Sequence, residues 1–155
     1  TLLLFPFIAS AATESEVINR ILEPYNLECS AEIGNIGRGE VISEIVPVTV
    51  SDESIYQVDI TASGKKATVL FADFTCPGHG SFWCGSSGCR VYIIVDGVLH
   101  YSDHGFKPFS VIEGETVFVL LPKGGGNCGK SNGSPCYRVA IWDVEDGEFN
   151  VAGRK

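Results

Sequence analysis

The pattern of apolar and polar residues predicts one helix early in the chain, followed by strands. Five apolar residues recur at helical spacing: Val17, Ile18, Ile21, Leu22 and Tyr25. Thr13 and Glu16 have the spacing of a capping box, in which each side chain bonds the backbone amide of the other. Pro24 and Asn26 are residues that commonly end helices. We therefore predict an amphipathic helix that begins at Thr13 and ends near Asn26, with Cys29 just beyond it.

After residue 26 the apolar segments are short and rich in β-branched residues, which is typical of strands. Asp96-Gly97, between RVYIIV and VLHYS, is a strong signal for a two-residue hairpin turn, and Asp146-Gly147 marks a second turn. The segment ISEIVPVTV contains Pro47 and is expected to be an edge strand or a loop. Further strands are predicted at YQVDI, ATVLFADF, TVFVLL, YRVAIW and EFNVA. The fold class predicted is α+β, with an N-terminal amphipathic helix packed on an antiparallel β-meander.

The chain has 155 residues and a net charge of −8. This length predicts a single domain, which we place at residues 13–155. Nucleic-acid binding needs a basic surface, and the sequence has neither a basic balance nor a basic cluster. No nucleic-acid partner is therefore expected.

Residues 1–12 have the features of an export signal. The apolar run LLLFPFI is followed by the small residues ASAA, as in the hydrophobic region and cleavage site of a secretory signal peptide. Cleavage is predicted after Ala11 or Ala12. The run is shorter than the roughly 20 apolar residues that span a bilayer. The alternative is a retained segment, either as a short buried strand or helix or as an anchor against a membrane complex or partner chain.

The sequence contains six cysteines, an even number that favours disulfide bonds in an exported chain. Their spacing suggests two local pairs and a remaining long-range pair: Cys84–Cys89, Cys128–Cys136 and Cys29–Cys76. Zinc binding is the competing interpretation, although C-x4-C and C-x7-C are not the usual spacings of zinc ribbons. Paired cysteines would not act as thiolate nucleophiles.

The segment GGGNCGKS satisfies the pattern G-x-x-x-x-G-K-[ST] of the phosphate-binding loop of nucleotide hydrolases. Such a loop needs a helix that begins at its Lys-Ser, and the following NGSPC cannot open a stable helix. The gap before the next strand is also too short for a parallel crossover. We therefore interpret the four matching residues as a chance match in a glycine-rich hairpin loop: Gly124, Gly129, Lys130 and Ser131. No nucleotide and no cofactor are predicted.

The turn DITASG has the shape of a calcium-binding loop, with Asp59, Thr61 and Ser63 at the first three ligand positions. Only Asp59 is a carboxylate, and two lysines follow the turn. Calcium affinity rises with ligand charge, so binding is expected to be weak or absent. The expected structure is a tight turn between strands, with no metal.

Three residues of HYSDHG are the weak candidates for catalysis: His100, Asp103 and His104. A metal could be held if Asp103 or His79 joined the two histidines, and the alternative is that all are surface polar residues. The acidic pair Glu113 and Glu115 is too unspecific to identify a site.

The segment GHGSFWCGSSGC places Phe82 and Trp83 in a glycine-rich loop that a Cys84–Cys89 disulfide would close. Aromatic residues on a rigid loop lose little entropy on binding, so they are candidate contacts for a partner. The alternative is that both rings fold back over the core.

The segments FTC, FWCGSSGCRVYIIVDG and GNCGKSNGSPCYRVAIWD together resemble a family of small exported proteins of uncharacterised function from alphaproteobacteria, with C-G-S-G-G-C and C-G-x-x-G-x-x-x-C disulfide motifs. The resemblance covers about residues 13–145 and rests on these positions: Cys29, Asp59, Gly64, Cys76, Cys84, Cys89, Cys128, Gly129, Cys136, Trp142 and Asp143. The chain departs from the family at Thr61 and Ser63, which replace acidic residues and weaken any calcium role. The resemblance implies a periplasmic or secreted location and disulfides, and it implies no catalytic activity.

The favoured function is a non-catalytic accessory or binding protein of the bacterial envelope, with a protein partner and a candidate membrane association through residues 1–12. Two alternatives stay open. One is a secreted hydrolase that uses His100, Asp103 and His104. The other is a secreted inhibitor of another enzyme, with Trp83 on the inserting loop.

Overall fold

The structure is a computed structural model that describes residues 12–36, 44–130, 134 and 136–152. The predicted export signal up to residue 11 lies outside the described residues, and so does Ser131 of the phosphate-loop pattern. The described chain contains one α-helix, one short 3-10 helix and eight strands, and most of its regular structure is β.

Helix α1 spans Glu14–Ile36, and its start has the predicted capping box. The Thr13 backbone N–H donates to Glu16 Oε2 at 2.7 Å, and the Glu16 N–H donates to Thr13 Oγ1 at 3.4 Å. The predicted end near Asn26 is wrong, because the helix continues through Pro24 on its exposed side. Cys29 therefore lies inside the helix and not beyond it.

Tertiary contacts explain why the helix continues past Pro24. Asn26 Oδ1 accepts from the Val48 N–H at 2.8 Å, and Ser30 Oγ accepts from the Val46 N–H at 2.8 Å. These bonds hold the segment at residues 46–48 along the second half of α1. The surrounding residues 44–50 form only an isolated bridge, between Thr49 and Thr75.

The strands form two four-stranded antiparallel sheets instead of the single meander that the sequence predicts. The first sheet has the order β1-β2-β3-β4: Ile55–Asp59, Lys66–Phe71, Cys89–Val95 and Val98–Gly105. The second has the order β5-β6-β7-β8: Phe109–Glu113, Thr116–Lys123, Cys136–Asp143 and Glu148–Val151. The Asp96-Gly97 turn joins β3 to β4, and both residues have the positive φ that a two-residue hairpin needs, 51° and 74°.

The first sheet is the middle layer of the molecule. One face packs against α1 in a core that includes Ile21, Tyr25 and Leu70. The other face packs against the second sheet in a core that includes Val69 and Trp142. Strand β2 is consequently buried on both faces, as expected for a sheet covered on both sides. The described residues cover only one face of the second sheet, which is the face that packs on the first sheet.

Three disulfides join Cys29 to Cys76, Cys84 to Cys89 and Cys128 to Cys136, which are the pairs that the spacing suggests. The first ties α1 to the segment after β2, and the other two close the loops before β3 and before β7. Three disulfides are compatible with an oxidising compartment. No helix among the described residues is long and apolar enough to cross a membrane.

Candidate functional site

The glycine-rich loop at residues 124–130 joins antiparallel strands. Strand β6 pairs with β7 at Lys123 and Cys136, and the loop between them contains the 3-10 helix Gly125–Cys128. Gly129 caps that helix with a φ of 69°, and the Lys130 N–H donates to Gly125 O at 2.8 Å. A phosphate loop joins a strand to an α-helix, so Lys130 stands in the hairpin loop that the sequence predicts.

The calcium-like turn is closed by its own side chains. Asp59 Oδ1 accepts from Lys66 Nζ at 2.8 Å, and Thr61 Oγ1 lies 2.9 Å from Ser63 Oγ. The Lys65 N–H also donates to Thr61 Oγ1 at 3.0 Å. Among the residues that the structure describes, no group of three His, Cys, Asp or Glu side chains could hold a metal ion.

The structure does not bring His100, Asp103 and His104 into one site. The His100 ring lies edge-on to Trp142, with 5.0 Å between ring centroids, at a bulge in the pairing of β3 with β4. Asp103 binds Lys123 and Arg138 of the second sheet. His104 lines a cleft on the α1 side. His100 and Asp103 therefore both contact the second sheet, but through different residues, whereas His104 faces the α1 side. His79 lies in the loop that follows Cys76.

The most unusual charge is Lys123, whose side chain is 3% exposed. Its Nζ lies 2.9 Å from Asp103 Oδ2 and also donates to the His104 carbonyl oxygen. Arg138 Nη1 lies 3.3 Å from the same Asp103 oxygen. The three charges link β4 of the first sheet to β6 and β7 of the second. Sequence reasoning missed Lys123, although it continues the inward alternation of Val117, Val119 and Leu121 along β6.

The pKa values of this pair shift downward. Burial would raise the pKa of Asp103, but hydrogen bonds from Lys123 and the His104 N–H, with the charges of Lys123 and Arg138, lower it below the usual 3.8. Burial lowers the pKa of Lys123, and the hydrogen bond and charge of Asp103 oppose that shift. The ionised pair therefore depends on both partners remaining in place.

A pH dependence follows from the lowered pKa of Asp103. The unfolded chain binds this proton more readily than the folded protein, so the contribution of Asp103 to stability is complete above about pH 4. It is lost as the pH falls through the folded-state pKa. We expect the difference in unfolding free energy between wild type and Asp103→Asn to shrink below about pH 4. Chemical denaturation of both proteins at several pH values checks this, and a constant difference down to about pH 2 would contradict it.

The loop that carries Phe82 and Trp83 is fixed against the first sheet. Gly88, with a φ of +92°, approaches the Gly105 backbone so closely that a side chain would overlap the Gly105 carbonyl. Trp83 folds back: its indole N–H donates to Glu28 Oε2 at 2.6 Å, and its ring lies 5.3 Å from Tyr25. Phe82 packs on Trp83 but stays 45% exposed. Of the two residues, Phe82 keeps the larger surface for a partner.

An exposed apolar surface lies on the second sheet, and sequence reasoning missed it. Cross-strand pairing puts eight apolar side chains on the side that faces away from the core; we call this the outer face: Phe109, Val111, Phe118, Leu120, Pro122, Tyr137, Val139 and Ile141. Val111 is 43% exposed and Tyr137 is 54% exposed. Antiparallel sheets usually present polar side chains on a solvated face. A contiguous exposed apolar patch commonly marks an interaction site.

One end of the outer face is strongly acidic. The β5–β6 and β7–β8 turns lie at the same end of the sheet, because β6 and β7 run antiparallel. These turns and the strand ends beside them carry six carboxylates: Glu113, Glu115, Asp143, Glu145, Asp146 and Glu148. Within the described part of the chain, none of the six forms an ion pair with a lysine or arginine. Glu113 and Glu115 thus belong to an acidic edge of an apolar surface.

The sequence of β6 contains a pattern from which the outer face could have been predicted. The run TVFVLL in β6 is apolar at every position after its first residue and does not alternate with polar residues. This pattern is typical of a strand buried on both faces. The described residues bury only the side with Val117, Val119 and Leu121. Strand β6 therefore has the composition of a strand that is covered on both faces, whereas the described residues cover only one face.

Comparison of the chain with protein-family models, with curated proteins and with solved structures finds no match. The functional argument accordingly rests on the side chains and surfaces described above.

Proposed function

We propose that the protein is a non-catalytic binding protein of an oxidising compartment outside the cytoplasm, and that it binds a protein partner through the outer face. The observation that carries the proposal is a face of an antiparallel sheet with eight apolar side chains, of which four are exposed and four are partly exposed. Burying such a surface releases water and provides the main free energy of association. The rigid two-sheet scaffold presents it with little loss of conformational entropy.

The acidic end of the outer face defines the chemistry of the partner. The six carboxylates beside the apolar surface attract lysine and arginine side chains and repel another acidic surface. The proposed partner is thus a different protein, with an apolar patch bordered at one end by basic residues. A second copy of this chain is a poorer fit, because its net charge is −8.

The proposed location is the periplasm or the exterior of a bacterial cell. Three disulfides support an oxidising compartment, and the resemblance to small exported alphaproteobacterial proteins supports the envelope. Neither alternative function gains comparable support. The hydrolase would need His100, Asp103 and His104 in one site, and the inhibitor would need Trp83 free of its contacts with Glu28 and Tyr25.

Photo-crosslinking at matched valines tests the proposal. A photoreactive residue replaces Val111 of the outer face in one variant and Val98 of the first sheet in another; these side chains are 43% and 51% exposed. In cells of the source organism we expect position 111 to crosslink to one partner protein and position 98 to give no such product. The partner, once identified by mass spectrometry and purified, should lose affinity for Val111→Lys about tenfold or more, but not for Val98→Lys.

The proposed attraction between the acidic end of the outer face and a basic partner is tested separately, by the salt dependence of binding. Affinity for the purified partner should fall as salt rises, because ions screen the acidic end of the outer face. The proposal would be overturned by equal crosslinking at both valines, or by a crosslink from position 111 to another copy of the same chain only. A partner whose contact surface is acidic would also overturn it.

A further inference from the structure

A cleft lies on the opposite side of the molecule from the outer face, where α1 meets β3, β4 and the Cys84–Cys89 loop. It encloses about 260 Å³. Its lining combines aromatic rings with charged side chains of both signs, and we call it the aromatic cleft: Tyr25, Glu28, Trp83, Arg90, Tyr92 and His104. Nothing in the proposed function uses this cleft.

The aromatic rings are held in place before any ligand arrives. Trp83 is fixed by the 2.6 Å bond from its indole N–H to Glu28 and by its packing on Tyr25. Tyr25 is 7% exposed, and its ring also packs edge-on against Phe74. The Cys84–Cys89 disulfide restrains the loop next to Trp83. Ligand binding would therefore cost little conformational entropy in these side chains.

The cleft offers both donors and acceptors. The Tyr25 and Tyr92 hydroxyls lie 2.8 Å apart, so one of them donates to the other and the second keeps a hydrogen to give. Arg90 donates from Nε to Ser102 Oγ at 3.0 Å, and no described residue pairs with its terminal nitrogens. Glu28 uses Oε2 for Trp83, which leaves Oε1 as an acceptor.

The charges of Glu28 and Arg90 restrict the chemical class of ligand that fits the aromatic cleft. Glu28 repels an anion and Arg90 repels a cation, and the two opposite charges cancel, so a neutral molecule fits best. Hydroxyl groups can donate to Glu28 and accept from Arg90, while an apolar face of C–H groups can pack on aromatic rings. The volume suits a ligand smaller than a typical drug-sized molecule.

We propose that the aromatic cleft binds a neutral saccharide, with one pyranose ring packed among Tyr25, Trp83 and Tyr92 and its hydroxyls bonded to Glu28 and Arg90. A proline-rich peptide is a less suitable ligand. Proline-rich segments dock along extended aromatic-lined grooves, whereas this cleft has a volume of only about 260 Å³.

The test uses the two indole N–H signals of the protein, one from each tryptophan, in heteronuclear NMR spectra. Trp83→Phe assigns the signals. Neutral oligosaccharides of glucose, galactose, mannose and N-acetylglucosamine are titrated separately, beside a uronic-acid oligomer, a glucosamine oligomer and an octaproline peptide. We expect at least one neutral saccharide to shift the Trp83 signal in a saturable way and to leave Trp142, in the core between the sheets, unshifted.

Matched variants locate the binding. Arg90→Ala and Glu28→Gln should each weaken binding of that saccharide about tenfold, because each removes a charged hydrogen-bonding group. Arg20→Ala is the control, since it removes an exposed arginine outside the cleft. Thermal unfolding of the three variants verifies that they are folded at the temperature of the titration.

Three results would overturn the inference. One is that no neutral saccharide shifts the Trp83 signal, and another is that only the charged oligomers or the octaproline peptide do so. The third is that Arg20→Ala weakens saccharide binding as much as Arg90→Ala. Because the outer face is remote from the cleft, failure here leaves the crosslinking result at Val111 unaffected, and the two proposals are judged separately.

Discussion

Replacing Cys29 and Cys76 together by alanine is expected to lower the free energy of unfolding by about 4 kcal/mol. The disulfide closes a loop of 47 residues, so its removal frees a large part of the unfolded chain. Both residues are buried, at 0% and 1% exposure, so the lost sulfur atoms also leave a small cavity between α1 and the first sheet. Urea denaturation followed by circular dichroism, without reductant, measures the loss.

The double variant of Cys84 and Cys89 is the matched control. This disulfide closes a separation of only five residues, and its removal is expected to cost about 2 kcal/mol. Hydrogen exchange should also distinguish the variants, because only loss of Cys29–Cys76 releases α1 from the sheet. Amides of Glu14–Ile36 should then exchange faster in that variant than in the control. Equal losses of stability and equal exchange in both variants would contradict the assigned role of the long-range disulfide.

Features set by neighbouring residues were predictable from the sequence. The helix begins where the Thr13–Glu16 capping box places it, because the two bonds join residues three apart. The Asp96-Gly97 hairpin forms because both residues adopt positive φ at low cost. The degenerate motif at Lys130 could be interpreted as a hairpin loop because no helix-forming residues follow it.

Features set by tertiary contacts were not predictable in the same way. The continuation of α1 past Pro24 depends on Asn26 and Ser30 binding a segment about 20 residues later, which no local propensity encodes. The division into two sheets depends on which side of each strand is covered by another layer. The sequence marks the strands but does not mark which strands share a sheet.

The candidate sites show the same limit. His100, Asp103 and His104 are close in sequence, but neighbouring side chains of a strand point to opposite sides of the sheet. The bulge at His100 interrupts this alternation. Conversely, Glu28 is far in sequence from Trp83 and Arg90, and it meets them only because α1 packs beside the disulfide loop and β3. The apolar run of β6 could have been recognised, since its lack of alternation indicates cover on both sides.

Replacing Asp103 by alanine is expected to lower the free energy of unfolding by about 3 kcal/mol near neutral pH. The change leaves Lys123, whose side chain is 3% exposed, without its counter-charge and beside Arg138. Without Asp103, the buried Lys123 ammonium either stays charged and unpaired or loses its proton, and both outcomes cost free energy near neutral pH. The value lies at the lower end of the range for buried pairs because Asp103 is 40% exposed and solvent screens part of the interaction.

A double-mutant cycle separates this effect from lost packing. Lys123→Met keeps a long side chain at the buried position and removes its charge, so Asp103→Ala should cost much less in that background. We expect a coupling of about 2 kcal/mol between the two changes, measured by urea denaturation of the four proteins. Additive losses would show that Asp103 stabilises the two-sheet packing without acting through Lys123. The ionic link from β4 to the second sheet would then have to be assigned to Arg138 of β7 alone.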